Sequence, residues 1–508
     1  MALRILEPLA ALSVVTDLAH GRPAEQALRA ALLATKVAEQ IGESAAGRRD
    51  ALYVALLRSL GCTATSHDYA RWLGGDDIVV RREGDHIDPT NPREGLAFVG
   101  RVAREVPITR RLGVLAVGTT RGPRIAADAA RADCEVAQQL GVRLGLNNEV
   151  TGALFQGFER WDGRGYPQGL RGDAINLSAR IAAGASAVVM FEQSLGVADA
   201  ASILRRWAGR ALDPDVVGTI LAVLPDAGGD VTVEDPLPAL LAAEPRPALE
   251  APETRLDDVA VAFAMVGDLK ATHLHGHSGS VARLAERAAR HRGRAEDAVT
   301  TLRRASLLHD LGRAAVPTGI WERPGRLSSA EWERVRLHAY QTERILARSS
   351  ALTEAGRIAG MHHERIDGSG YHRGSRASEQ DIDCRLLAVA DVYSALTESR
   401  PYRPAFSPDA AAHTLREMAL DPESVECVLE AAGQMRRRIR SRPAGLTERE
   451  VAVLRLIVRG MSMGKVATAL HISTSTVHTH LAHVYEKAGI STRAGAAVFA
   501  MENDLLDP

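Results

Sequence analysis

The sequence predicts a mainly α-helical protein, and three observations support this prediction. Long stretches repeat apolar residues at helical spacing, as in EWERVRLHAYQTERILARS, which begins at Glu331. The helix-forming residues Ala, Leu, Arg and Glu dominate every region of the chain. Runs with a strand-like pattern are few, and the best of them are residues 77–80 and 112–117.

Composition and charge exclude several classes of protein. The chain has 508 residues, of which 46% are hydrophobic and 25% charged, as in ordinary globular proteins. The net charge of −1 favours neither nucleic acid nor membrane, so any basic site must be local. The four cysteines form no C-x-x-C pair, which argues against a disulfide framework or a zinc ribbon. Without a signal-peptide pattern or a long apolar run, we expect a cytoplasmic protein that does not bind membranes.

Two shifts in composition divide the chain into three segments. Residues 224–256 contain six prolines among Gly, Asp and Glu, which is typical of a linker. Residues 436–442 read RRRIRSR and precede Pro443 and Gly445, which indicates a second, basic linker over 436–444. The domains predicted from these shifts are 1–223, 257–435 and 445–508.

One loop motif occurs twice. GFERWDGRGYPQG begins at Gly157 and HHERIDGSGYHRG begins at His362, and both contain E-R-x-D-G-x-G-Y. From Glu159 onward, 9 of 23 positions are identical to those 205 residues later. An upstream pair, ALLRSLGC from Ala55 and SLLHDLGR from Ser306, matches at an offset of 251, so the first copy has 46 more residues between its motifs. Internal duplication of one helical domain is the simplest interpretation.

The substitutions between the copies remove potential metal ligands from the first copy. The pairs, second copy then first, are His309 and Arg58, Asp310 and Ser59, His362 and Gly157, His363 and Phe158, and Asp391 and Ser186. The loop glycines and the tyrosine are retained in both copies. We therefore expect the first copy to be degenerate and to act as a packing partner or as a ligand sensor, of which we favour packing.

The second copy contains imidazoles and carboxylates in helical contexts, without a thiolate. These candidate metal ligands are His277, His309, Asp310, His338, His362, His363 and Asp391. Such a set suits Fe, Mn, Co, Ni or Zn better than Cu(I) or an iron–sulfur cluster. Asp391 lies in the apolar stretch RLLAVADVYSAL, where a buried carboxylate needs a partner. A single histidine is more often an ordinary surface or core residue, but the complete set predicts a divalent metal site.

The motif series resembles the HD-GYP subgroup of the HD phosphohydrolase superfamily over about residues 257–435. The motifs are GHS, LLHDLGR, HHERIDGSGY, RLLAVAD and RPYR, in that order. The resemblance implies two divalent transition metal ions, with Fe or Mn favoured, and hydrolysis of phosphoesters, in well-known members cyclic di-GMP. It also implies that Asp310 bridges the two ions, that His277, His309 and Asp391 bind one, and that His338, His362 and His363 bind the other. His273 is a weaker candidate as a ligand of a third ion.

Two residues depart from the family's pattern. Arg313 stands where the family has a lysine, and with Asp310 it is a candidate catalytic residue, because a guanidinium can still hold a phosphate. His372 stands where the family has the proline of GYP. The substrate-binding residues predicted from the resemblance are Arg313, Gly368, Gly370 and Tyr371.

These departures leave two hypotheses of function. In the first, the middle domain is a working phosphodiesterase coupled to a DNA-binding transcriptional regulator. In the second, the protein is a transcription factor whose middle domain binds metal and nucleotide as a sensor without turnover.

Residues 445–506 contain clear signals for the starts and ends of helices. Thr447 and Glu450 form a potential capping box, Gly460 ends the first helix, and Ser473 or Thr474 can cap a third. Two helices separated by a tight HIS turn are typical of a helix-turn-helix. The segment resembles the LuxR/NarL-type DNA-binding domain, with its L-T-x-R-E start and T-V-x-x-H core. That resemblance implies a four-helix domain, DNA as a partner and a possible homodimer.

Polar residues on the third helix of this segment are the candidate DNA contacts. They are Ser475, Thr476, His478, Thr479, His480, His483 and Lys487. Their hydroxyls, imidazoles and ammonium can bond phosphates and base edges, although a solvated helix face or a protein-binding face would look similar. The full prediction is a mainly α chain with two HD-type helical domains, the first degenerate, and a C-terminal four-helix helix-turn-helix domain.

Overall fold

Helices form nearly all of the regular structure in the computed structural model, which describes residues 2–73, 76–231, 234–435 and 443–506. The chain divides into two units, Met1–Val259 and Ala260–Pro508. Within the described residues the strands are two three-residue segments, so the predicted mainly α class is confirmed.

The first unit is built around α2, which packs against α3, α9 and α11. Strands β1 (Ala2–Arg4) and β2 (Glu250–Pro252) pair antiparallel, with Leu3 opposite Ala251. The helices of this unit are α1 (Leu6–Ala19), α2 (Gln26–Ile41), α3 (Ala45–Leu57), α4 (Ser66–Leu73), α5 (Asp77–Asp85), α6 (Pro92–Arg104), α7 (Ile108–Arg143), α8 (Asn148–Phe155), α9 (Leu177–Leu195), α10 (Val197–Trp207), α11 (Pro214–Val231) and α12 (Pro236–Ala243).

The second unit is built around α14, which packs against α15, α19 and α21. Helix α13 begins in the last residues of the first unit and continues into the second. The helices are α13 (Arg255–Asp268), α14 (His277–His291), α15 (Glu296–Leu308), α16 (Thr318–Trp321), α17 (Ser329–Leu346), α18 (Thr353–Ala359), α19 (Ile382–Thr397), α20 (Pro408–Glu417), α21 (Pro422–Met435), α22 (Glu448–Val458), α23 (Met463–Leu470), α24 (Thr474–Ala488) and α25 (Arg493–Glu502).

Both segments predicted as strands are helical. Residues 77–80 lie in α5, and residues 112–117 lie in α7. Asp76 caps α5, because its carboxylate accepts from the backbone N–H groups of Ile78 and Val79, each at 3.0 Å. Tertiary packing and capping therefore override the β-propensity of the valines in these runs.

The proline-rich segment 224–256 contains regular structure of the first unit instead of an extended linker. Pro236 occupies the first turn of α12, where a missing N–H is tolerated, and Asp235 caps this helix. Leu240 is buried, and β2 pairs with β1. The RRRIRSR segment, predicted as a basic linker, lies outside the described residues.

A close helix contact recurs in both units and depends on glycine. A Cβ at Gly61 would lie 1.9 Å from the carbonyl oxygen of Asp133, and one at Gly312 would lie 2.0 Å from that of His338. Any side chain at either position would separate the backbones. Asp133 and His338 are also 205 positions apart, so the repeat offset extends to this contact.

The helices α2 and α14, which occupy equivalent places in the two copies, are each preceded by a residue with a positive φ angle. Glu25 precedes α2 with φ 74°, and Gly276 precedes α14 with φ 81°. The first helical residues, Gln26 and His277, are 251 positions apart, which is the offset of the upstream repeat. Gln26 therefore stands in the first unit where the second has His277.

Helices α22 to α25 form the four-helix C-terminal domain. The predicted capping box is confirmed, because Thr447 accepts from the Glu450 backbone N–H at 3.3 Å and Glu450 accepts from the Thr447 backbone N–H at 2.7 Å. Val453, Val466 and Val477 lie fully buried between α22, α23 and α24.

The residues after α25 pack against the start of α14. Leu506 is buried, and a Cβ added at Gly276 would lie 3.3 Å from its Cδ1 atom. Asp504 accepts a hydrogen bond from Arg283 on α14, and the Leu506 carbonyl accepts one from Arg459. The C-terminal domain is thus anchored next to His277.

All four cysteines, Cys62, Cys134, Cys384 and Cys427, are buried and form no disulfide.

Among the helices described, none has both the length and the apolar character needed to cross a membrane.

We expect Gly312→Ala to destabilise the protein, because its Cβ would collide with the His338 carbonyl. Overpacking of this kind costs about 1–3 kcal/mol. Thermal unfolding followed by circular dichroism measures the loss. Gly325→Ala is the matched control, since a Cβ there meets no atom within 4 Å. Equal melting temperatures for the two variants would contradict the proposed contact.

Candidate metal centre

The structure brings the seven predicted metal ligands of the second unit together. They come from the start of α14 (His277), the residues after α15 (His309 and Asp310), the interior of α17 (His338), the residues after α18 (His362 and His363) and the interior of α19 (Asp391). Their ligand atoms form two groups, and within each group all atoms lie within 4.8 Å of one another. The groups are His277, His309, Asp310 and Asp391, and His338, His362 and His363.

Asp310 lies between the two groups. Its Oδ2 atom is 3.6 Å from His277 Nε2 and 3.0 Å from His309 Nε2. Its Oδ1 atom is 3.4 Å from His338 Nε2 and 3.5 Å from His362 Nε2. Each carboxylate oxygen therefore faces a different pair of imidazoles.

Asp391 contacts both groups in a similar way. Its Oδ1 atom lies 3.1 Å from His277 Nε2 and 3.6 Å from His309 Nε2. Its Oδ2 atom lies 3.7 Å from His363 Nδ1. The two aspartates thus provide the negative charge around which the imidazoles are arranged.

Backbone carbonyls orient the imidazoles. The Nδ1 atom of His309 lies 2.7 Å from the Ser306 carbonyl oxygen, and that of His362 lies 2.7 Å from the Ala359 carbonyl oxygen. His338 Nδ1 makes the same contact with Val335. When Nδ1 donates to a carbonyl, the Nε2 lone pair is free to bind a metal ion.

Orphaned polar atoms show that the pocket suits a cation. His309 Nε2 and both oxygens of Asp310 are buried, and in the part of the chain that the structure describes their close contacts, to each other and to Arg313, lack hydrogen-bond geometry. Buried polar atoms without partners are rare, and coordination of an ion would satisfy these. The mixed imidazole and carboxylate donors fit a divalent transition metal.

Charge interactions keep the carboxylates ionised. Burial would raise the pKa of Asp310, but Arg313 and His309 hold that pKa well below its usual range. Burial would lower the pKa of His309, but Asp310 and Asp391 raise it to about 10. In the other group, burial lowers the pKa of His362 to about 4. The centre therefore combines fixed negative charge with a neutral imidazole, which is the ligand form of histidine.

Glu398 belongs to the site, although the motif series did not identify it. Its Oε2 atom lies 3.0 Å from His277 Nδ1 and accepts a hydrogen bond from Arg400 at 3.0 Å. A carboxylate in this position fixes the tautomer and the ring orientation of a ligand histidine. Glu398 lies seven residues after Asp391, two helical turns along the same face, and this spacing is the signal that could have identified it.

Two of the predicted substrate contacts lie beside the ligand groups. The Arg313 guanidinium is buried between Asp310, with Nη1 2.6 Å from Oδ2, and the Trp321 ring, whose centroid is 5.2 Å from Cζ. The Tyr371 ring lies 4.7 Å from the His363 ring between centroids. Both side chains are therefore within reach of a ligand held at the centre.

The glycines of the repeated loop shape its close turn. Gly368 has φ 81°, and a Cβ at Gly370 would lie 2.4 Å from Glu364 Cα. The buried Glu364 carboxylate closes the loop by accepting from the backbone N–H groups of Arg373 at 2.8 Å and Ser375 at 2.9 Å. The predicted substrate residues Gly368 and Gly370 thus set the path of the loop backbone.

His372, the residue in place of the family's proline, contacts α17. Its Nε2 atom lies 3.5 Å from Glu343 Oε2. The Tyr371–His372 peptide bond is cis, as is the Tyr166–Pro167 bond in the first copy.

His273 lies outside both ligand groups. It belongs to a 3-10 turn, Thr272–Leu274, and its Nδ1 atom is buried without a hydrogen-bond partner among the described residues. Burial, together with Arg400 and Arg313, lowers the pKa of His273 well below its usual range. The structure therefore does not join the candidate third-metal ligand to the other seven.

Helix α24 presents most of the predicted DNA contacts to solvent. Ser475, Thr476, His478, Thr479 and His483 are exposed, and His480 is half-buried. Lys487 is exposed as well, but its ammonium forms an ion pair inside the domain, 2.8 Å from Glu450 Oε2, and lies 3.3 Å from the Gly445 carbonyl oxygen. Burial would raise the pKa of Glu450, but Lys487 and Thr447 lower it to about 2, so the ion pair persists at neutral pH. Lys487 is thus engaged in stabilising α22, which sequence reasoning did not reveal.

Comparison with protein families defines the class of the chain. Residues 263–423 match the HD domain family, and residues 444–500 match the family of bacterial regulatory proteins, luxR family. The chain therefore contains an HD domain and, after it, a luxR-type helix-turn-helix domain.

Individual relatives are cyclic-dinucleotide phosphodiesterases. The 3'3'-cGAMP-specific phosphodiesterase 3 of Vibrio cholerae is 28% identical over 423 residues, covering 82% of this chain and 92% of that protein. That alignment is longer than the second unit, so it extends into the first. The cyclic di-GMP phosphodiesterase of Thermotoga maritima is 35% identical over 185 residues, covering 35% of this chain and 50% of that protein.

A crystal structure of a cyclic GMP-AMP specific phosphodiesterase from V. cholerae shares the fold. Its TM-score is 0.59 at 24% identity, and the match covers 85% of this chain and 98% of that one.

We expect Glu398→Ala to weaken metal binding about 10–100-fold, because His277 loses the acceptor that orients it. Glu398→Gln keeps an acceptor oxygen, so its metal affinity should lie between that of Glu398→Ala and that of the wild type. Isothermal titration with Mn²⁺ measures the affinity. Glu417→Gln is the control, since Glu417 pairs with His413 at 3.3 Å on the exposed surface. Unchanged affinity in Glu398→Ala would rule out the orienting role.

Proposed function

We propose that the chain is a metal-dependent phosphodiesterase of cyclic dinucleotides, joined to a DNA-binding transcriptional regulator. The observation that carries this proposal is the position of Asp310, whose two oxygens face different imidazole pairs at 3.0–3.6 Å. A carboxylate shared in this way suits a pair of divalent ions. The named activities of the relatives support the substrate class.

The residues would divide between two ions, with Fe or Mn favoured. His277, His309 and Asp391 would hold one ion, His338, His362 and His363 the other, and Asp310 both. Divalent ions bound there would supply Lewis-acid activation of the phosphoryl group and of an attacking water.

The other side chains would orient the ligands and the substrate. Glu398 holds the proton on His277 Nδ1, so that Nε2 faces Asp310 and Asp391. Arg313, buried beside the centre, would donate to phosphate oxygens and offset their charge. Tyr371, against His363, offers an aromatic face for a nucleobase.

A second function, nucleotide sensing without turnover, is favoured by one contact. Arg313 Nη1 lies 2.6 Å from Asp310 Oδ2, the oxygen that faces His277 and His309. A guanidinium at this distance competes with an ion for the same oxygen. In this alternative the domain binds a nucleotide and reports its presence to the C-terminal domain.

Hydrolysis assays distinguish the two functions. We expect the Mn²⁺-loaded wild type to hydrolyse cyclic di-GMP or 3'3'-cGAMP, and the His309→Ala/Asp310→Ala variant to be inactive, because it lacks two ligands of the first group, one of which, Asp310, also faces the second. Bis-p-nitrophenyl phosphate serves as a generic phosphodiester, and product formation is followed by chromatography. A metal-loaded wild type that binds these dinucleotides and cleaves none of the three compounds would favour the sensor.

DNA binding is supported by the exposed polar face of α24. Coupling to the HD domain is supported by the C-terminal residues, because Leu506 packs beside Gly276, which directly precedes the ligand His277. An ion at the centre would therefore bind at the residue after Gly276, which the last residues of the C-terminal domain contact.

We expect His478→Ala/Thr479→Ala to weaken DNA binding about tenfold or more, the loss typical of a base contact. Fluorescence anisotropy with a duplex selected by the wild type from a random-sequence pool measures the affinity. Thr119→Ala, an exposed change on α7, is the control. If the HD domain is coupled to the C-terminal domain, the affinity for DNA should differ between the metal-loaded and the metal-free protein. If the wild type binds no duplex at low salt, the regulator proposal fails.

A further inference from the structure

The first unit has an arginine, Arg58, at one of the positions where the second unit has a metal ligand. The groups of residues able to hold a metal in the described ranges both belong to the second unit. In the first unit the matching positions are Gln26, Arg58, Ser59, Asp133, Gly157, Phe158 and Ser186, as the offsets of 251 and 205 place them. A positive side chain therefore replaces His309 in an otherwise neutral or acidic set.

The geometry confirms that Arg58 occupies the equivalent place. In the second unit the His309 ring packs against the His362 ring, with centroids 4.9 Å apart. In the first, the Arg58 guanidinium lies over the Phe158 ring, 5.3 Å from its centroid, and a Cβ added at Gly157 would lie 3.9 Å from Arg58 Cγ. Positions 58 and 157 thus adjoin each other as His309 and His362 do, and Arg58 also covers Phe158, the counterpart of His363.

Two neighbouring arginines are already neutralised. Arg22 donates to both oxygens of Asp85, at 2.7 and 2.9 Å, and to Ser59 Oγ at 3.1 Å. Arg81 lies 3.2 Å from Asp133 Oδ2. Arg81 and Asp85 belong to α5, which lies in the stretch where the first copy has its 46 additional residues. The additional residues therefore supply Arg81 and Asp85 to this charged cluster.

Arg58 differs from both neighbours. Its guanidinium forms no hydrogen bond or ion pair with any residue in the described ranges, and its Nε atom is buried. Burial, together with Arg22, lowers the pKa of Arg58 to about 10, so the side chain remains charged at neutral pH. A partly desolvated cation that pairs with no carboxylate is costly, and an anionic ligand would remove that cost.

An aromatic ring lies next to this charged cluster, as one lies next to the metal ligands of the second unit. Tyr166 pairs with Phe158 through a backbone hydrogen bond of 3.0 Å, and Arg131 lies over its ring at 5.7 Å. The second unit has the same pair, with Arg336 over Tyr371 at 5.8 Å. Arg58, Phe158 and Tyr166 are each partly exposed, so a ligand in solvent can contact them.

We propose that the first unit binds a phosphate group of a nucleotide at Arg58 and does not hydrolyse it. The planar guanidinium matches two phosphate oxygens, and the Tyr166 face suits a nucleobase. The metal ligands that hydrolysis would require are replaced by Arg58, Ser59, Gly157 and Phe158. The first unit would thus bind a nucleotide with the same fold that holds the metal ligands in the second unit. Binding at Arg58 does not depend on whether the second unit is catalytically active.

Full-length protein kept in EDTA tests the proposal without catalysis. Inorganic phosphate and cyclic di-GMP are titrated separately by calorimetry at constant ionic strength. We expect at least one probe to bind saturably to the wild type, and Arg58→Met to weaken that binding about tenfold or more, as expected for loss of a charge-assisted contact. If cyclic di-GMP binds more tightly than inorganic phosphate, the site is a nucleotide site. If phosphate binds and cyclic di-GMP does not, the nucleotide part of the proposal is overturned.

Matched variants assign the binding to the first unit. Arg124→Met makes the same change at an exposed arginine of α7 and should leave this binding intact. Arg58→Lys keeps the charge and should retain part of the affinity, and far-UV circular dichroism checks that each variant folds. The proposal fails if neither probe binds the wild type, or if Arg58→Met weakens the binding no more than Arg124→Met does.

Discussion

The carboxylate of Asp310 is the constraint on which the second unit depends. It is buried and ionised, and such a group is tolerated only when opposite charge or hydrogen-bond donors surround it. The surrounding imidazoles come from α14, α17 and the residues after α15 and α18, so all of these elements must reach one point. The close approach at Gly312 brings α17 near enough for His338 to do so. Packing and chemistry are therefore set by the same few contacts.

The first unit shows that this scaffold can exist without that carboxylate. Gly61 retains the close backbone approach, and the repeated loop retains its glycines and its buried glutamate, Glu159, which accepts from backbone N–H groups of the loop. What changed is the charge at the centre, where Arg58 replaces an imidazole and Ser59 replaces the shared aspartate. The fold tolerates the exchange because its stability comes from helix packing, whereas the chemistry resides in a few side chains.

The sequence predicted most of what depends on local pattern. The helical class, the repeated loop, the Thr447–Glu450 capping box and the ligand set follow from spacing and residue type. The failures have two causes. Residues 77–80 are helical in part because of a local cap, Asp76, which the strand pattern of the valines outweighed in the prediction. Glu398, by contrast, joins the site through a histidine 121 positions away. The Lys487 ion pair with Glu450 was hidden for the same reason, since nothing in either local sequence indicates it.

The packing of Leu506 beside Gly276 bears on how such proteins diversify. Families built from an input domain and an output domain are often regarded as sets of interchangeable modules joined by linkers. Here the last described residues form part of the surface of the HD domain, through Asp504 and Arg283. Exchange of the output domain would therefore also require a compatible terminal segment, so that the two domains are expected to evolve as a pair.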